Sequence, residues 1–253
     1  MKRFVSAVLC AFAAWPVRGA DPFDVAVNSG RPNDPLILQG TYTAPVSSAA
    51  PVLVMLHGLG SGQSEWTPLV QRATARGCGT LTYDLRGHGR SRGTIAGRTI
   101  NHEDPQNGRS ADFWRNMPRD LEQVVLALEK RTGTAREKIG LIGASIGANT
   151  VLEAAARLKG IGALVLLSPG LDYAGILTEG PMKTLATPAL LIAAEPDLYS
   201  YTSCQRLKSL APPGLVTWTP IPHATTQGAH GVQLFDGKVE DKIVGWIEGT
   251  IKR

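Results

Sequence analysis

Aromatic side chains make up 6% of the chain and charged ones 19%, and no block of Lys and Arg is interleaved with aromatics. That leaves no footprint for a nucleic-acid partner, and none is expected. The net charge of +5 does not restore one. Lys2, Arg3 and Arg18 lie in the first twenty residues, which hold no acid, so the remainder is close to neutral. Metal-ligand patterns are missing too. There is no His-Glu-x-x-His and no Cys-x-x-Cys, and the five histidines are scattered, so no metal is expected. Gly58-Leu59-Gly60-Ser61-Gly62 is glycine-rich, but the residues after it continue neither a phosphate loop nor a dinucleotide fingerprint, and no cofactor is expected. Past the first segment, no apolar run reaches the roughly 18 residues of a membrane-spanning helix, so no span is expected.

What is present begins with an address. Lys2 and Arg3 precede an uncharged stretch from Phe4 to Trp15, too short to cross about 30 Å of hydrocarbon. Pro16 and small residues follow. Residues 1–20 read as a cleaved secretory signal, with Gly19 and Ala20 both open as the last residue removed. An exported protein, periplasmic or secreted, is expected. Cys10 leaves with the signal, and the bulky Leu9 before it argues against lipid attachment. Cys78 and Cys204 remain. In an exported chain they have the option of pairing, but one opens a strand and the other sits on a distant helix, which favours two buried thiols. Residues 21–253 read as a single domain, long enough to bury a core without a disulfide or metal staple.

The organising pattern is short apolar runs alternating with helix-period segments. The runs cover 52–56, 80–83, 138–142, 163–167, 189–193 and 215–218, and they lack in/out alternation, as buried parallel strands do. Helices are expected over 65–76, 113–131, 146–158, 202–210 and 237–251. In the second, Leu121, Val124, Val125 and Leu128 share a face; in the last, Val239, Ile243, Trp246 and Ile247 do. Residues 24–28 and 36–43 add one or two antiparallel edge strands. The expected fold is α/β, a mostly parallel sheet of about seven to eight strands flanked by helices on both faces. Segment 87–112 has no period and reads as a long loop on the strand-end side, either covering a site in part or without a role.

Reactive groups of an open parallel sheet collect beyond its strand carboxyl ends. There the chain places His57-Gly58-Leu59-Gly60, then Asp84 to Ser91, then Gly143-Ala144-Ser145-Ile146-Gly147. Glu195 and Asp197 follow the fifth run, and His223 and His230 lie beyond the sixth. A serine, an acid and a histidine, each past a different strand, form a nucleophilic constellation. With 28 glycines in the chain, Gly-x-Ser-x-Gly alone says little. Its setting says more: strand before, Ala-rich helix after, as a nucleophile elbow requires. Such a turn lifts the Ser145 hydroxyl above the sheet and aims the Ile146 N–H at any oxyanion formed there.

Through these motifs, and a His-Gly before the last helix, the chain from about residue 36 resembles the α/β-hydrolase family. The resemblance implies an acyl-enzyme hydrolase with Ser145 as nucleophile, Asp197 rather than Glu195 as acid, and His230 rather than His223 as base. It implies oxyanion donors at the backbone N–H of Leu59 and Ile146. His57, Asp84, Arg86 and His88 then serve the loop backbone, and His102 is left exposed. The span between Ser168 and Pro188 is too short for the lid domain common in the family. Leu171, Tyr173 and Ile176, with Leu177, are candidates for one wall of a pocket. The expected activity is that of an exported serine carboxylesterase on small or medium esters. Lipase, thioesterase, peptidase and acyltransferase or perhydrolase activities use the same residues, and a non-catalytic binding module is the reading of another class. The oligomeric state is not legible.

Overall fold

The computed structural model describes residues 19–222 and 229–251. All of the expected signal up to Arg18, with Cys10, and His223 near the other end lie outside the described residues.

Eight strands form one sheet in the order β1-β2-β4-β3-β5-β6-β9-β10. These are β1 (Asp21–Val27), β2 (Leu36–Thr43), β3 (Val52–Leu56), β4 (Gly79–Tyr83), β5 (Ile139–Ala144), β6 (Ala163–Leu167), β9 (Ala189–Ala194) and β10 (Val216–Ile221). A separate hairpin pairs β7 (Asp172–Tyr173) with β8 (Ile176–Leu177). β1 and β2 run antiparallel, as does β2 against β4; every other pairing in the large sheet is parallel. Residues of β3, β4, β5, β6 and β9 are buried at every position. This is what a strand covered on both faces requires, and it explains the unbroken apolar runs. Edge strands differ. β1 alternates buried and exposed residues, and β10 is half-exposed and tolerates Pro220, whose missing N–H would disrupt a central strand.

Eight helices flank the sheet among the described residues: α1 (Thr67–Ala75), α2 (Pro105–Gly108), α3 (Ala111–Arg115), α4 (Met117–Thr132), α5 (Ile146–Ala155), α6 (Glu179–Lys183), α7 (Leu198–Leu210) and α8 (Lys238–Thr250). One core lies between the sheet and α4, α5 and α7. The other packs Leu69 and Ala73 of α1 and Ile243, Val244 and Ile247 of α8 against the opposite face. Cys78 and Cys204 are buried thiols, and burial pushes the Cys204 thiol far above its usual range. No helix among the described residues is long and apolar enough to cross a membrane.

The expected helix over 113–131 is two helices. Ser110 caps α3 by accepting the Phe113 N–H, and the chain restarts after Asn116 with Pro118 in the first turn of α4, where its missing N–H costs nothing. The expected helix over 202–210 begins earlier, at Leu198, because Asp197 caps it. Segment 87–112 is anchored on β2. Leu36 bridges to Thr94, the Ile37 N–H donates to the Gly93 carbonyl, and the Gln39 N–H donates to Ser91 Oγ at 2.8 Å.

Arg86 is the deepest charge of this region. Its Nε and Nη2 donate to Asp120 on α4 at 2.6 and 2.7 Å, and Nη2 also reaches the Asn28 carbonyl at 3.1 Å. Both side chains are about 5% exposed or less, so removing one strands a buried charge. Asp120→Ala lowers unfolding stability by roughly 3–5 kcal/mol. Arg90→Ala, at a pair with Asp84 whose arginine is 57% exposed, changes it by less than about 1 kcal/mol. Urea midpoints check this, and equal midpoints for the two variants contradict it.

Candidate active site

Ser145 joins β5 to α5 at φ 56° and ψ −123°, a backbone state that side-chain-bearing residues rarely hold. The neighbouring glycines make room for it. A Cβ at Gly143 would overlap the backbone of Gly147 and Ala148, and one at Gly147 would overlap the Leu56 and His57 carbonyls. The Ser145 N–H donates to the Leu167 carbonyl at 2.9 Å, which fastens the turn to β6. α5 starts at Ile146, so its first N–H groups have no partner inside the helix.

The candidate acid and the candidate base meet directly. Asp197 Oδ2 accepts from His230 Nδ1 at 2.6 Å, while Oδ1 accepts the Ser200 N–H at 3.4 Å and caps α7. Glu195 is exposed. Of the two candidate acids, Asp197 is therefore the one bonded to His230. The histidine is carried to the Ser145 turn by its neighbour Gly231, at φ 58°. The Gly231 N–H donates to Ser168 Oγ at 2.9 Å, and a Cβ there would stand 3.3 Å from Cβ of Ala144, the residue before Ser145.

Two residues that the sequence did not single out hold this arrangement. Ser168 is fully buried at φ 49°. It ends β6 by donating its N–H to the Ile192 carbonyl at 2.8 Å, and its own carbonyl accepts from Ser200 Oγ at 3.4 Å. Asn149 is fully buried on α5. It donates to the Ile176 carbonyl at 2.9 Å and accepts the Gly170 N–H at 3.0 Å. The visible signal was a lone Asn in an Ala-rich helix four residues past Ser145, a residue that helix propensity alone disfavours.

Asn149 clamps both ends of the β7–β8 hairpin. The span expected to lack a lid thus carries this hairpin and α6, a strap rather than a lid domain. Tyr199 Oη donates to the Asp172 carbonyl and accepts the Asp172 N–H, both at 3.0 Å. Tyr173 Oη and Ser200 Oγ are 3.2 Å apart. The Tyr173 ring stands edge-on to His230, with centroids 6.3 Å apart and planes at 89°. Leu171 is half-buried against the core. Ile176 is 2% exposed and packed into the core, and Leu177 takes the outward position because adjacent strand residues face opposite ways.

The loop after β3 is steadied by Glu65, whose Oε1 accepts the Gly58 N–H at 3.1 Å and whose other oxygen accepts from the Ser61 hydroxyl. Leu59, between them in sequence, exposes 57% of its surface. Beneath this loop His57 and His88 are fully buried. His57 Nδ1 meets the Gly58 carbonyl at 2.7 Å and Nε2 accepts the Leu85 N–H at 2.9 Å, a pair of bonds that needs the neutral Nδ1–H tautomer. His88 Nδ1 donates to the Arg86 carbonyl at 2.9 Å. Asp84 accepts the N–H of Gln63 and of Arg90 at 2.8 and 3.0 Å. These groups serve backbone, as expected. His102 does not stay exposed: it is half-buried, bonds the Gly87 carbonyl at 2.9 Å and stacks on His88 with centroids 3.6 Å apart. A positive-φ Gly87 turns the chain so that the later loop folds back over it. Among the described residues, no group of three or more His, Cys, Asp or Glu is arranged to hold a metal.

A parallel sheet with a strained serine turn after one central strand, and an Asp–His pair beyond two later ones, defines an α/β protein of nucleophile-elbow type. The chain belongs to the alpha/beta hydrolase family, whose model matches residues 53–242. It is 25% identical over 169 residues to the uncharacterized protein YfhR of Escherichia coli K12, a match covering 64% of this chain and 54% of that protein. The chain thus matches about half the length of this curated relative. Among solved structures it is similar in fold to the Pyrococcus furiosus esterase Pf2001, at TM-score 0.68 and 17% identity, covering 93% of this chain and 92% of that one. It is also similar to a dienelactone hydrolase from Anabaena variabilis, at TM-score 0.65 and 20% identity, covering 92% and 99%.

Burial holds His57 at a pKa of about 4, and burial together with His57 holds His88 at about 3. An unfolded histidine takes up its proton near pH 6.5. Between pH 6.5 and 4 the unfolded chain therefore binds more protons than the folded one, and stability falls as pH falls. Each histidine contributes a slope of at most about 1.4 kcal/mol per pH unit. Urea titrations between pH 7.5 and 4.5 show this acid limb, and His88→Gln makes it shallower. An unchanged slope in His88→Gln contradicts the assignment.

Proposed function

We propose that the protein is an exported serine hydrolase that cleaves carboxylic esters of small or medium size through an acyl-enzyme on Ser145. The observation that carries the reading is the Asp197–His230 bond of 2.6 Å set beside a strained serine turn. Asp197 accepts the Nδ1–H, which leaves Nε2 as the proton acceptor and stabilises the imidazolium once it forms. Ser145 Oγ attacks the ester carbonyl while His230 takes its proton. The carbonyl oxygen becomes an oxyanion that the N–H groups of Leu59 and Ile146 hold, each donor worth about 3 kcal/mol. His230 then gives its proton to the departing alkoxide. Water repeats the cycle on the acyl-enzyme and frees Ser145.

The rim supports an apolar substrate in an open cleft. Leu59 stands on one side of the turn, and Leu198 and Tyr199, exposed by 71% and 47%, follow Asp197 on the other. The hairpin strap is too small to enclose a long chain. Export rests on the composition of residues 1–20.

The purified mature protein hydrolyses p-nitrophenyl acetate and butyrate, and Ser145→Ala or His230→Ala lowers kcat by a factor on the order of 10⁴. A folded Ser145→Ala protein with undiminished turnover contradicts the reading. In a bacterial host, amino-terminal sequencing of the exported protein finds a start at Ala20 or Asp21; an exported form that begins at Met1 contradicts the signal.

A further inference from the structure

We propose that the Tyr173 phenol is a further catalytic group: it hydrogen-bonds the ester oxygen that leaves when the acyl-enzyme forms, and the water oxygen when the acyl-enzyme breaks down. The proposal rests on the acyl-enzyme reading of Ser145 above.

Topology places the phenol on the correct side. β5, which carries Ser145, has two neighbours in the sheet, β3 and β6. The loop after β3 brings Leu59, one of the two oxyanion donors; the other, Ile146, begins α5. The loop after β6 brings Tyr173. The two flank the nucleophile from opposite sides. In a tetrahedral intermediate the oxyanion lies toward β3, and the leaving oxygen must lie toward His230 to collect its proton. That is the flank on which the Tyr173 ring stands, edge-on to the imidazole at 6.3 Å. The phenol oxygen has Ser200 Oγ at 3.2 Å.

The group is also fixed before substrate arrives. Tyr199 holds the Asp172 peptide through two bonds, Asn149 clamps the hairpin at Gly170 and Ile176, and the Tyr173 and Tyr199 rings fill the space a Cβ at Gly170 would need. The ring and its oxygen are thus held in place, and only the phenol proton has to turn during reaction. The Ser200 hydroxyl is directed at the Ser168 carbonyl, so its oxygen is left to accept the Tyr173 proton in the free protein. When substrate binds, the phenol O–H turns from Ser200 to the leaving oxygen. The carbon–oxygen bond breaks, its electron pair stays on that oxygen, and the His230 proton joins it to give the alcohol. Tyr173 keeps its own proton throughout. Burial pushes the phenol above its usual range and holds it in the donor form.

The test is the dependence of kcat/KM, which reports acylation alone, on the leaving group. Tyr173→Phe keeps the ring against His230 and removes the donor. Against alkyl acetates, whose alkoxides need stabilisation, kcat/KM falls about tenfold, the worth of one hydrogen bond gained only in the transition state. Against p-nitrophenyl acetate, whose phenolate leaves unaided, it changes less than about twofold, and that retained rate also shows an intact site. A second variant with 3-fluorotyrosine at 173 keeps a hydroxyl that is a stronger donor, and its rate on alkyl acetates rises relative to the nitrophenyl ester. Tyr173→Phe losing the same factor on both esters, or nothing on either, overturns the proposal alone. A wild-type protein inert toward both esters overturns the acyl-enzyme reading and the proposal with it.

Discussion

The turn at Ser145 is the constraint on which the rest depends. A serine at φ 56° carries strain of about 1–3 kcal/mol, and the surrounding backbone holds it there. Gly147 lies against the carbonyls at the end of β3, and Gly143 lies against Gly147 and Ala148. Ser145 is thus wedged between the start of α5 and the ends of two strands. Its height above the sheet follows from that wedge. So does the need for an acid and a base to come in from later strands, because nothing on β5 or α5 supplies them.

The other half of the site is organised by one helical turn. Asp197, just before α7, caps the helix and bonds His230, and the first turn of α7 supplies Tyr199 and Ser200, which hold the β7–β8 hairpin. Ser168 links this turn to the loop after β10: its hydroxyl receives the Gly231 N–H while its carbonyl receives the Ser200 hydroxyl. A shift in α7 therefore moves Asp197, His230 and the strap together. The buried His57 and His88 meet edge-on below the opposite loop and couple its order to the absence of charge on them, and His102 stacks on His88.

Much of this was legible in the sequence because the central strands are buried on both faces and read as continuous apolar runs. Candidate residues could be picked out at strand ends: Ser145 and Asp197 follow such runs, while His230 follows the half-exposed edge strand β10. The supporting residues were not legible in the same way. Asn149 and Ser168 work through side chains whose partners lie 21 to 63 positions away in the chain, and no local pattern records a contact of that kind. The burial of Ile176 was not legible because a two-residue strand is too short to show its alternation. His102 misled because its burial depends on Gly87 turning the chain back, a tertiary event with no period.

The central claim is that Ser145, activated by His230, is the nucleophile. Intact-mass and peptide mapping after reaction with diethyl p-nitrophenyl phosphate tests it most directly. The account predicts one diethylphosphoryl group per chain, on Ser145, and its loss in a folded His230→Ala protein. A stoichiometric adduct on another residue, or an unchanged Ser145 adduct rate without His230, would contradict it.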